Sequence, residues 1–355
     1  MPRRSATMLA STILLIALVC AVALIKVPYA EMSPGPTYNT LGSQNGKKVI
    51  TITGRATYPT TGNLNMTTVE VTSADYELNL VEAFTGWLRH DDAVIPHGNL
   101  YPDNQTEQQS EQQNAEDFTA SQDSAKAAAL KQLGIPVGSA VVVSAVVANS
   151  PSVGKLHAGD VITAVDGTPV STPEQVAPLV TKHKPGQDVV FTVEPPKKDG
   201  TPSGTRQQVT VTTAKNPDTG KAMVGIQPGT EHTFPFTIDI NLGDVGGPSA
   251  GLMFSLGIID KLQSTNLTGG KFVAGTGTID DNGKVGPIGG ISMKIIAARR
   301  AGAQYFFTPS DNCAEAAADT PKGLRLVKVD TLAQAVTDLA AIRSDKTAAL
   351  PVCGK

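Results

Sequence analysis

Histidine, cysteine and tryptophan are scarce here: five, three and one among 355 residues. Their scatter offers no metal-ligand spacing, and neither a metal nor a cofactor is expected. No GxxxxGK[ST] stretch occurs, so these residues hold no Walker-type nucleotide loop. Charge of one sign is lacking too. Charged residues make up 17% and the net charge is −3, with only short basic runs such as Lys197-Lys198. Nothing points to a nucleic-acid partner.

Long apolar runs are absent except one. Met8 to Ile25 carries no charge, follows Arg3 and Arg4, and ends at Lys26. A membrane-spanning helix needs roughly 17–25 residues, and Lys26 can snorkel to extend the run towards Ala30. A single anchor over 1–30 in contact with membrane lipid is therefore expected. The arginines would stay cytoplasmic and the rest extracytoplasmic. A cleaved signal peptide is the alternative, but the run is long for one and Pro28 fits the "VPYA" cleavage site badly. Cys20 follows Leu18-Val19, which are too bulky for a lipoprotein site. Cys313 and Cys353 would then meet oxidising conditions and are expected to bond.

Beyond the anchor, "KKVITITG" (47–54) and "NMTTVEVTSA" (65–74) alternate as strands do. "ELNLVEAFTGWL" (77–88) has helical spacing, with Trp87 expected as a packing anchor. Residues 103–123 are polar and read as a solvated helix or linker. "SAKAAALKQLG" (124–134) predicts a helix capped by Ser124 and stopped by Gly134. From about 217 to 345 strands and helices alternate, predicting an α/β (α+β) domain, followed by a tail over 346–355.

"GDVGGPSAGLMFSLGIID" (243–260) brings glycine-rich backbone to one hydroxyl, Ser249, ahead of an apolar helix. Gly246 and Gly247 let backbone amides approach a ligand, and Pro248 suits a first helical turn. Amides at a helix start suit an oxyanion. The bland alternative is an ordinary helix cap. The alcohol needs a base, and His90, His97, His157, His183 and His232 all sit in surface or structural settings. Lys294 is the better candidate: it lies in "PIGGISMKIIAARRAG" among Ile291, Met293, Ile295, Ile296 and Ala297. A base near pH 7 requires lysine to fall by roughly three pKa units from about 10.4, which burial alone can supply.

"GGPSAG", "AGTGTID" and "GKVGPIGGISMK" together resemble the proteolytic domain of the Lon protease family. The resemblance implies a Ser249–Lys294 dyad, with Thr276 supporting the lysine. "AGD-I-VDG-PV" within 124–216 resembles a PDZ domain of bacterial envelope proteases, mainly β. PDZ domains capture an extended peptide on a sheet edge, for which "QLGIPVGSAVVVSAV" is the nearest candidate. The combination resembles membrane-anchored, PDZ-containing Lon-like proteins. It implies an ATP-independent serine endopeptidase acting on flexible polypeptides, and a hexameric ring. The segment 31–123 could then belong to the protease domain, with the PDZ unit inserted. Many Lon proteases carry an acidic residue three positions before the serine; Gly246 stands there, with Asp244 close but displaced.

Two rivals are weighed. "SVGK" (152–155), "SDN" (310–312) and "KTA" (346–348) imitate a penicillin-binding enzyme, but their contexts are a turn and a tail. The other rival is a membrane-tethered PDZ adaptor with an inactive protease-like domain.

Overall fold

Strand-forming residues at 29–39 and 63–71 pair to make the centre of the larger of two units. The computed structural model describes residues 3–89, 91–102, 105–196, 203–243 and 245–354. Lys197, Lys198, His90 and Asp244 lie outside the described residues. One unit comprises Met1–Ile135 with Phe236–Lys355, and the other Pro136–Pro235.

The first unit opens with α1 (Arg3–Ala23), β1 (Tyr29–Asn39), β2 (Ile50–Thr53), β3 (Asn63–Val71), α2 (Leu80–Leu88), β4 (Ala93–Pro96) and α3 (Glu107–Gln132). The second holds β5 (Gly138–Val146), β6 (Val161–Val165), α4 (Val176–Val180), β7 (Asp188–Glu194), β8 (Gln207–Thr212) and β9 (Ile226–Thr233). The chain then returns to the first unit with β10 (Thr237–Ile240), α5 (Gly251–Leu262), β11 (Phe272–Gly275), α6 (Ile291–Arg300) and β12 (Tyr305–Pro309). It ends with α7 (Cys313–Ala318), β13 (Arg325–Val329) and α8 (Leu332–Arg343).

The expected membrane-spanning helix needs correction. Among the described residues no helix is long and apolar enough to cross a membrane. The helix stops at Ala23, and Leu24 and Ile25 turn out of it through tighter bonds to Ala21 and Val22. The apolar part from Met8 to Ala23 is therefore about 24 Å long, against a hydrocarbon core of about 30 Å. Ile25 and Val27 are instead hydrogen-bonded to Leu80 and Leu78 at the entry to α2.

The first unit's sheet runs β13-β12-β11-β3-β1-β4. The strands from β13 to β3 are parallel, while β1 is antiparallel to both β3 and β4. Helix α5 is buried along nearly its whole length and packs on α3, α8 and β3. Helix α6 lies on β1 and β3.

Helix α3 also departs from expectation. It is one helix, capped at Thr106 by a reciprocal pairing with Gln109, and Ser124 lies in its middle. Its polar stretch up to residue 123 nevertheless buries Phe118 and Ser121, with Phe118 edge-on to Phe254 of α5 at 5.8 Å. Tertiary packing of a few residues outweighs the weak helical pattern. Gly134, at φ +68°, ends the segment as the sequence indicates. Trp87 is not a core anchor: it is 71% exposed on α2.

The second unit's sheet runs β8-β7-β6-β5-β9, around a core that includes Val143, Ile162, Phe191 and Val211. Strand β9 pairs with β5 from Ile226 to Thr233, so this unit extends beyond residue 216. That pairing also removes β5 as an open edge and corrects the expected peptide-receiving strand. The Asp166-Gly167 turn has positive φ at both positions, as its hairpin requires. Cys313 and Cys353 are bonded.

One buried carboxylate works against this fold. Asp338 of α8 is 7% exposed, its Oδ2 has no partner, and burial raises its pKa to about 6. Between the ordinary value of 3.8 and about 6 the folded chain holds a proton that the unfolded chain has lost, so stability falls as pH rises through that window. Asp338→Asn is expected to raise the melting temperature at pH 7.5 and to change it little at pH 4, by differential scanning calorimetry.

Candidate active site

The segment 246–250 is a loop rather than the first turn of a helix. Gly247 adopts φ +83°, and α5 begins only at Gly251. Two neighbours hold it. Gly277 N donates to Ser249 O at 2.9 Å, and Leu252 N donates to Gly277 O at 3.1 Å. On the other side Gly247 N donates to Asn114 O of α3 at 2.8 Å, and Ser121 Oγ donates to Pro248 O at 2.9 Å. A Cβ at Gly246 would come within 2.8 Å of the Asn114 side chain, so glycine is needed for that approach. The Gly247 amide, expected as an oxyanion donor, is thus already engaged.

Lys294 sits one turn into α6, and Gly290 at the helix start takes φ +67°. Ile291, Met293, Ile295, Ala297 and Ala298 are buried around it, while Arg299 and Arg300 are exposed near the helix end. Lys294 itself is only 2% exposed. Burial alone lowers its pKa from 10.5 to about 7.

The structure brings the three sequence-predicted residues together. Lys294 Nζ lies 2.8 Å from Ser249 Oγ and donates to Thr276 Oγ1 at 3.1 Å. Thr276 is fully buried, and its hydroxyl donates to Ser249 O at 3.0 Å. The threonine therefore fixes one proton of the amine and leaves its lone pair for the serine. A cavity of about 290 Å³ opens on Ser249 and Lys294, with Pro36, Tyr38, Met66 and Thr68 along one wall. Among the described residues Glu70 is the other charged group lining it, and no histidine does.

Sequence reasoning missed the clamp from α3, because a backbone carbonyl at Asn114 leaves no signature in side-chain type. It also missed Asn312. Asn312 Oδ1 accepts from Ile288 N, and Nδ2 donates to Ile288 O, both at 2.9 Å.

Known proteins share these parts. Residues 233–341 match the profile of the Lon protease (S16) C-terminal proteolytic domain. That stretch holds Ser249, Thr276 and Lys294. Residues 111–212 match that of the PDZ domain. The latter match begins inside α3, which packs in the first unit, and stops short of β9; the compact unit is 136–235.

A Lon protease of Azospirillum brasilense is 38% identical over 89 residues, which cover 24% of this chain and 11% of that protein. Lon protease 2 of Bacillus subtilis is 33% identical over 95 residues, covering 27% of this chain and 17% of the relative. The chain thus aligns with under a fifth of either relative's length. The PDZ domain of the SdrC-like protein from Listeria innocua is similar at 24% identity and a TM-score of 0.22, over 25% of this chain and 92% of that one.

The buried lysine has a stability cost with a definite sign. Between about pH 7 and 10.5 the unfolded chain holds a proton that the folded chain lacks, so this residue's contribution to stability improves as pH rises through that window. Lys294→Met is expected to raise the melting temperature at pH 6, with the gain shrinking by pH 10. Thermal unfolding of the two proteins across that range checks it.

Proposed function

We propose that the chain is a serine endopeptidase that needs no ATP and cleaves flexible or unfolded polypeptides with a Ser-Lys dyad. The observation that carries this is the 2.8 Å approach of a buried Lys294 Nζ to Ser249 Oγ. Neutral Lys294 takes the hydroxyl proton as Ser249 Oγ attacks the peptide carbonyl. Backbone amides around Ser249 stabilise the resulting oxyanion, since that of Gly247 is engaged by Asn114. Lys294 then gives its proton to the leaving amine. Water, deprotonated by the same lysine, hydrolyses the acyl-enzyme. Thr276 holds the amine in place throughout.

Peptide capture by the second unit belongs to the same proposal. Supporting it is a cavity of about 330 Å³ lined by Val176, Ala177 and Val180 of α4 and by Met223, Gly225 and Ile226. Strand β9 ends its sheet, so an added peptide strand would find an open ladder beside apolar pockets. The location and the assembly are also proposals. Exposed Leu14, Leu15 and Leu18 on α1 support membrane attachment, and the Cys313–Cys353 bond supports an extracytoplasmic site. A ring of identical chains rests on the family likeness.

Incubating the full chain with unfolded casein without ATP is expected to give cleavage that Ser249→Ala abolishes. Lys294→Arg should also lose at least about a thousandfold in kcat while remaining folded, because a guanidinium stays charged. Near-normal cleavage by either variant refutes the dyad. The acid limb of the wild-type rate should lie near pH 7, where the lysine gains its proton.

Peptide capture by the second unit is checked separately. Ala177→Asp, at an exposed position of α4 lining that cavity, is expected to raise KM for casein several-fold and to leave kcat within about twofold, because it sets a hydrated carboxylate against the apolar wall.

A further inference from the structure

We propose that Asn312 is the positioning residue for Lys294, held in turn by the Cys313–Cys353 bond. This rests on the Ser249–Lys294 reading and adds to it the part that sets where the lysine stands.

A lysine reaches its target through four freely rotating bonds, so the start of its helix must be fixed if Nζ is to remain within hydrogen-bond distance of a hydroxyl. Helix α6 has no side-chain cap of its own. Its first bond of this turn, Lys294 N to Gly290 O at 3.1 Å, hangs on the loop that precedes it. The loop reads Gly286-Pro287-Ile288-Gly289-Gly290 and has little side chain with which to anchor itself.

Two contacts supply the anchorage. On one side Gly290 seats directly against the sheet: a Cβ there would come within 2.9 Å of Val69 and 3.0 Å of Met32. On the other side Asn312 pairs with both backbone groups of Ile288 through its single amide. Asn312 is 6% exposed, so water does not compete well for those bonds.

Asn312 is itself fixed from behind. The next residue, Cys313, begins α7 and is bonded to Cys353 of the tail. The tail is bound to β13 by Lys328 N donating to Pro351 O at 2.9 Å and by a bridge between Val327 and Val352. Cys353 and Ile288 pack on the cluster that contains Ile291 and Ile295, the residues flanking Lys294 on α6. The nucleophile loop is held by other groups, Asn114 and Ser121. Loss of Asn312 therefore acts on the lysine and leaves the serine loop in place.

The test uses the full chain. Asn312→Ala is expected to lower kcat for unfolded casein at least tenfold with KM within twofold. Its acid limb should move to higher pH by about one unit, because a lysine released towards water holds its proton more tightly. Glu70 and Tyr38 line the same cavity and are present in every variant, so they do not account for a difference. Asn312→Asp keeps the acceptor for Ile288 N but loses the donor, and should fall between wild type and alanine. The titration of Lys294 is also read directly, by NMR of carbon-13-labelled lysine, with the signal assigned by its loss in Lys294→Arg.

A lower melting temperature with kcat, acid limb and Lys294 titration all unchanged would overturn the proposal. If Asn312→Ala does not fold, Cys353→Ser must move the acid limb in the same direction to a smaller extent, and an unmoved limb is equally fatal. If wild type shows no Ser249-dependent cleavage, the proteolytic reading fails. The NMR titration still decides whether Asn312 governs the surroundings of Lys294.

Discussion

A primary amine kept dry beside a hydroxyl is the constraint on which the rest of this molecule depends. Lysine in water is protonated at neutral pH and cannot accept a proton. Burial among Ile291, Met293 and Ile295 changes that by making the charged form costly. The same burial leaves few ways to satisfy the amine's protons, and Thr276 supplies one. A nearby carboxylate would have eased burial but would also have favoured the charged form. Thr276 is a neutral acceptor, so it orients the lysine without restoring its charge. The proposed dyad needs both properties at once, dryness and orientation, and the sequence meets them with an apolar helix face and one threonine.

The parts that hold the dyad come from distant stretches of chain. Ser249 stands between α3 and the residues after β11, and Lys294 between β3 and the segment at Asn312. Helix α3 belongs to the first unit although the whole second unit separates it from α5 in sequence. The site is therefore incomplete in the stretch 233–341 alone: the carbonyl of Asn114 and the hydroxyl of Ser121 lie outside it. The stretch that matches the proteolytic-domain profile covers Ser249 and Lys294, while the clamp on the serine loop lies upstream of the second unit.

That division explains what was legible in the sequence. Ser249, Thr276 and Lys294 could be read because each sits in a local pattern of glycine, proline and small residues that few other structures demand. The α/β alternation after residue 236 and the Asp166-Gly167 turn were legible for the same reason, since turn chemistry is local. The packing of the polar part of α3 was not, because up to residue 123 it carries only Phe118 and Ser121 as signs of burial, and long-range packing on α5 decides its state. Trp87 misled by residue type, and β9 by its Pro-Gly interruption, which is tolerable at a sheet edge. The engaged Gly247 amide shows a third kind of miss. Glycine pattern announces that backbone comes close to something, and here that something is Asn114.

Ser-His-Asp enzymes orient their base with a carboxylate on its far side. Lysine has no far side: its nitrogen ends the side chain, and only the near shell and the backbone below can direct it. The two hydrogen bonds from Lys294 Nζ, to Thr276 Oγ1 and to Ser249 Oγ, act on the near shell. The backbone below is a glycine-rich loop, which by itself is the least restrained kind of chain. A lysine base on such a loop needs its restraint from elsewhere in the fold. Asn312 and the bonded tail stand where that restraint has to act, on the one residue of the loop with a side chain large enough to join the core, Ile288. The loop's glycines permit the close approach to Val69 and Met32, and the asparagine removes the freedom those glycines would otherwise retain.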